Sequence, residues 1–115
     1  MKKFFSVMIL AAVLIFVGGQ NNFAEAKDVY ITSYSDGRDV FIVTESINKS
    51  EPNTVRVTVK YVKNGYLDEV EHLIYFKPPG DMWWVNSEEA KRDGLRATRV
   101  WEPEKDKVLQ YCLHY

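Results

Sequence analysis

Cys112, His72 and His114 carry most of the reactive chemistry available to this 115-residue chain. A thiol beside an imidazole can make a nucleophile, and imidazoles grouped with carboxylates can hold a metal. The spacing supports neither. No H-x3-H, C-x2-C or H-E-x-x-H run occurs, and Cys112 is the single cysteine. Ser33, Ser35 and Ser46 lack the G-x-S-x-G setting of a serine hydrolase. Gly37, Gly65, Gly80 and Gly94 are isolated turn glycines and form no phosphate loop. Asp68, Glu69 and Glu71 are close in sequence, but alternation sends Asp68 to one face of a strand and the glutamates to the other. There they would face Lys60 and Thr58, as in a solvated ladder. No catalytic residue, metal ligand or cofactor is expected.

Two of these groups keep open readings. His72 is expected in an inward row opposite Val57, packed or hydrogen-bonded, with a ligand or catalytic role as the alternative. Cys112 falls on a helical stripe with Val108 and Tyr115, which predicts a packed thiol over a reactive one. His114, near the chain end, is expected in solvent.

Apolar side chains offer a different kind of site. Leu67, Leu73 and Tyr75 fall on the otherwise charged face of a hairpin, with Val62 opposite Leu67. If contiguous they would form a partner surface, and scattered they would be ordinary. Trp83 or Trp84 could present a ring to a sugar or peptide, or pack in the core. The candidate interaction surface is therefore Val62, Leu67, Leu73, Tyr75 and Trp83.

The element that positions most of these residues runs from Thr54 to Lys77. Val55, Val57, Val59 and Tyr61 alternate with Arg56, Thr58 and Lys60, a period-2 strand with one apolar face. Asn64-Gly65 follows, the dipeptide that a type I′ turn prefers because both central residues need φ > 0. A regular two-residue loop would set Lys63 against Tyr66, Val59 against Val70, Val57 against His72 and Val55 against Ile74. The covered face would then hold Val55, Val57, Val59, Val70, Ile74 and Phe76.

Before it, Val29–Tyr34 and Asp39–Ile47 alternate around Asp36-Gly37, a second two-residue hairpin signal that would set Ile31 against Ile42. After it, Pro78-Pro79-Gly80 ends the strand. Met82–Val85 reads as a short strand with Trp83 and Trp84 on opposite faces. Asn86 with Glu89 predicts a helical turn, and Gly94 sits where a C′ residue belongs. Leu95–Trp101 reads as a last strand. Pro103 suits the first position of a helix whose stripe is Val108, Leu109, Cys112 and Tyr115. An isolated helix of that length would be marginal, so it must dock. The expected fold is α+β: an antiparallel sheet of about six strands with a C-terminal helix packed on one face.

Lys2 and Lys3, the apolar run Phe4–Val17 and Ala24-Glu25-Ala26 have the layout of a cleaved secretory signal. Residues 1–26 are read as the signal peptide and 27–115 as one domain. No transmembrane segment is expected after cleavage, and the destination is the periplasm, the medium or the cell surface. Removing Lys2, Lys3 and Glu25 from 15 basic and 16 acidic side chains leaves a slightly acidic chain. That balance argues against nucleic acid as a partner.

The strands Asp39–Ile47 and Val55–Lys63 with Asn64-Gly65, the Trp83-Trp84 strand and the ending Val108–Cys112 resemble the surface-adhesin protein E group. The resemblance implies a six-stranded antiparallel sheet with a C-terminal helix and an adhesive role. It also implies a disulfide tethering that helix, for which Cys112 has no partner in this chain. The functional expectation is an exported, non-enzymatic binding or interaction module of the bacterial envelope. Its partner would be an unidentified protein or surface ligand, or a second copy in a homodimer. The alternative is a small envelope enzyme inhibitor or hydrolase. An inhibitor would use Pro78–Asp81 or Ser87–Gly94 as its projecting loop.

Overall fold

A computed structural model describes residues 28–115, so the signal-peptide reading of residues 1–26 lies outside the described residues. Six strands form one antiparallel sheet: β1 Asp28–Ser33, β2 Arg38–Asn48, β3 Thr54–Lys63, β4 Tyr66–Phe76, β5 Trp84–Ser87 and β6 Thr98–Arg99. Each strand pairs with its sequence neighbour, so tight turns suffice to connect most of the sheet. Helix α1 (Glu88–Arg92) follows β5, and α2 (Pro103–Leu113) ends the fold. Val108, Leu109 and Cys112 of α2 pack on one face of the sheet, against residues including Val40, Ile42, Val57, Val59 and Tyr75. The expected α+β layout is the observed one.

The β3–β4 turn is also as expected. Asn64 and Gly65 have φ of 55° and 81°, and Lys63 pairs with Tyr66. No heavy atom lies within 4 Å of a Cβ built on Gly65, so only the dihedral penalises a side chain there. Gly65→Val is expected to lower stability by about 1 kcal/mol or more, because a β-branched residue tolerates φ > 0 poorly. An unshifted urea-unfolding midpoint would contradict the turn assignment.

Beyond the turn the register departs from the regular hairpin. Val62 pairs with Leu67 but Tyr61 pairs with Glu69, so Asp68 is the extra residue of a β-bulge. One inserted residue turns the rest of β4 over. Val59 therefore faces Glu71, Val57 faces Leu73 and Val55 faces Tyr75. Leu73 and Tyr75 lie in the core, while Val70, His72, Ile74 and Phe76 move to the opposite face. This corrects the predicted covered face for all of β4. The bulge also sets Glu71 where the Tyr61 hydroxyl donates to it at 2.6 Å.

The first hairpin is corrected in the same way. Tyr34 N–H donates to Arg38 O at 2.8 Å, and Gly37 N–H to Tyr34 O at 3.0 Å. With Gly37 at φ 98°, Ser35-Asp36-Gly37 is a three-residue loop, and Ser33 pairs with Asp39. A second irregularity at Ile31 sets Val29, not Ile31, against Ile42.

Ser87, one residue later than predicted, caps α1 by accepting from Ala90 N–H. Gly94 takes the predicted C′ place: Leu95 N–H donates to Ala90 O and Gly94 N–H to Lys91 O, a Schellman pattern. The last strand is much shorter than Leu95–Trp101. Helix α2 begins with Pro103 in its first turn, but Tyr115 lies beyond its end and is 62% exposed.

Candidate functional site

Cys112 is fully buried, and both histidines are hydrogen-bonded. Burial pushes the Cys112 thiol up to about 12, against a smaller opposing pull from Lys49. The folded protein is expected to resist thiol labelling and to label fast once denatured. Cys112→Ala is expected to cost on the order of 1 kcal/mol through lost packing. Fast labelling of the folded chain would overturn the α2 orientation.

His72 is exposed on the face opposite α2, not in the inward row. Its Nδ1 lies 2.6 Å from Glu89 Oε2, and its backbone N–H donates to Glu89 Oε1 at 2.9 Å. Partial desolvation opposes ionisation of Glu89, but the hydrogen bonds from His72 outweigh it and hold the carboxyl at about 2. The pair anchors α1 to β4. His114 is exposed, with Nδ1 2.8 Å from Gln110 O. Among the described residues no group of three His, Cys, Asp or Glu side chains could hold a metal ion.

Glu71 does not join a solvated ladder with Lys60 and Thr58. It enters a polar cluster where α2 meets the sheet. Lys105 Nζ donates to Tyr34 Oη at 3.2 Å and to Tyr61 Oη at 3.4 Å. It lies 3.5 Å from Glu102 and 3.8 Å from Glu71. The Tyr34 hydroxyl donates to Glu102 at 2.9 Å. The Arg38 guanidinium lies 4.5 Å from the Tyr34 ring centroid and 5.1 Å from that of Tyr61. Burial alone would lower the Lys105 pKa, but Glu71, Tyr34 and Glu102 together raise it. Burial, then Glu71, raises the Tyr61 phenol far above its ordinary range. The cluster clasps α2 to the sheet.

The predicted interaction residues do not form one surface. Leu73 and Tyr75 are 2% and 0% exposed in the core. Trp83 packs against that core. Val62 is 2% exposed although it lies outside the core cluster, on the face opposite α2. Only Leu67 is well exposed, at 50%, beside Tyr66 at the hairpin end. Trp84, by contrast, lies on the face opposite Trp83's contacts, as alternation predicted.

A different surface forms at the β6 edge. Phe76 stacks on Trp84 with centroids 6.5 Å apart. The Arg99 guanidinium lies 5.3 Å from the Trp84 ring centroid and 6.0 Å from that of Trp101. Asp81 lies 3.8 Å from Arg99, and Trp101 is 71% exposed. Between β6 and the first turn of α2 runs a shallow groove of about 350 Å³ lined by Val85, Thr98, Val100, Trp101 and Lys105 among others. Charge is uneven here. From Lys91 to Arg99 stand four basic side chains and one acidic one, in a chain of net charge −1. All five are exposed. Sequence reasoning missed this site. Its signal was the basic run Lys91, Arg92, Arg96 and Arg99.

Set against known proteins, the chain matches no family, no curated protein and no solved structure.

Proposed function

We propose that this chain is an exported, non-enzymatic binding module, and that the β6 edge is its contact surface. The observation that carries the reading is the Trp84–Arg99–Trp101 ladder, which ends in a largely exposed indole beside an apolar groove. Tryptophan and arginine dominate binding hot spots, because a flat amphipathic ring or a planar cation buries much area at little entropic cost. The placements of Cys112, His72 and Lys105 support the same reading, since each is buried or paired.

The test has two arms. A photo-crosslinking residue in place of Trp101 is expected to trap a partner in the producing cell, whereas the same residue in place of exposed Lys107 on α2 is not. Equal trapping at both positions, or none at 101, would contradict the surface. Turnover on a panel of ester, peptide, glycoside and phosphate substrates that is lost in His72→Gln or Cys112→Ala would replace binding with catalysis.

One observation favours the inhibitor reading as the second. Tyr66 and Leu67, 78% and 50% exposed, stand on the tight Asn64-Gly65 turn. A preordered tip loses little entropy on entering a cleft. The loops Pro78–Asp81 and Ser87–Gly94 fit that role less well, since the second is largely helix α1, anchored through Glu89.

A further inference from the structure

Resting on the β6 edge as contact surface, we infer that its partner is an acidic, extended peptide segment that adds to the sheet as a seventh strand. β6 is the last strand in the sheet order, and among the described residues no strand pairs with its outer side, where the Arg99 carbonyl accepts from Trp101 N–H at 2.9 Å. Val100 N–H donates to Trp83 O at 3.0 Å, toward β5. Antiparallel ladders alternate, so the neighbouring Arg99 turns its own N–H away from β5, to the unpaired side. That is the template for strand addition, in which main-chain bonds give affinity and alternate side chains give specificity.

The two faces of an added strand would meet different surroundings. On one lies Arg99, over the Trp84 ring. On the other opens the groove with Val85, Thr98 and Val100, which Trp101 also lines. A matching segment therefore alternates, with Asp or Glu toward the arginine side and an apolar side chain into the groove. Charge complementarity selects the acidic class, because the Lys91–Arg99 stretch is strongly basic within a net acidic chain. The exposed backbone edge favours a peptide over an anionic polysaccharide, which would need only the ring and the cation.

The experiment selects from a library of random linear peptides of about twelve residues on the chain as exported. Arg96 and Trp101 are exposed, so Arg96→Glu and Trp101→Ala keep the core. Enriched sequences are expected to alternate acidic and apolar residues. One such peptide, followed by fluorescence anisotropy, is expected to bind about tenfold more weakly to Arg96→Glu and to Trp101→Ala. Added salt should weaken it, and N-methylation of alternate backbone amides should abolish binding. Enrichment of basic or non-alternating peptides, affinity unchanged in both variants, or no enrichment would overturn the proposal. So would polygalacturonate binding more tightly than every selected peptide. If selection fails while the crosslinker at position 101 still traps a partner, the contact surface stands and the acidic strand falls. If both fail, both fall.

Discussion

Tyr75→Ala is expected to cost about 3–5 kcal/mol, the largest loss of any single truncation considered, because it empties the centre of the core. Tyr75 is fully buried, and its register partners are Val55 on one side and Val85 on the other. Its hydroxyl donates to Lys105 O at 2.7 Å, which ties the first turns of α2 to the middle of the sheet. Tyr75→Phe isolates that bond and is expected to cost about 1 kcal/mol, the net worth of an ordinary hydrogen bond. Ile74→Ala is the control, since Ile74 lies on the other face and is only half-buried. Denaturant unfolding should rank Tyr75→Ala well above Ile74→Ala. The reverse order would mean that the bulge at Asp68 is absent and that β4 is turned the other way.

Lys105→Met should be the next most damaging change, at about 2 kcal/mol. The methionine fills the stem's volume but leaves Glu71 and Glu102 without their cation. The loss stays modest because the lysine side chain is a fifth exposed and water screens part of the interaction. The pH dependence has a definite sign. The folded Lys105 pKa is raised, so its contribution is complete below the unfolded lysine value and fades as pH climbs through the folded one. Tyr34 and Tyr61 act in the same window, because burial raises both phenols and the unfolded chain ionises first. The wild-type chain should therefore lose stability in strong alkali. Lys105→Met should flatten that slope without removing it. A variant as stable as wild type at neutral pH would show that the clasp contributes nothing.

Most of the fold could be read where local chemistry and pattern agree. Asn64-Gly65 demands its turn, Gly94 its left-handed cap, and Pro103 with Val108, Leu109 and Cys112 a docked helix. β4 could not be read this way because both of its rows are apolar. Val70, Ile74 and Phe76 form one, Leu73 and Tyr75 the other, so alternation alone does not choose the inner face. The choice is made by partners far away in sequence: Lys105 O for the Tyr75 hydroxyl, and Tyr61 with Lys105 for Glu71. Those contacts require a bulge, and no residue type in Tyr66–Glu69 announces one. The same limit applied to the site. Leu73 and Tyr75 looked like surface under the regular register. The β6 edge looked like an unremarkable strand, because its significance comes from Trp84 stacking across to Arg99 and from α2 turning away beside Trp101. Only the unevenness of charge between Lys91 and Arg99 was open to inspection beforehand.

The central claim is that the β6 edge is where this protein meets its partner. Amide hydrogen exchange of the protein, alone and with a display-selected acidic peptide, tests it most directly. The account predicts slowed exchange at residues 95–101, led by the outward-facing Arg99 amide, with β1 unchanged. Protection confined to β1 or to the Tyr66–Leu67 hairpin end, with residues 95–101 unaffected, would contradict it.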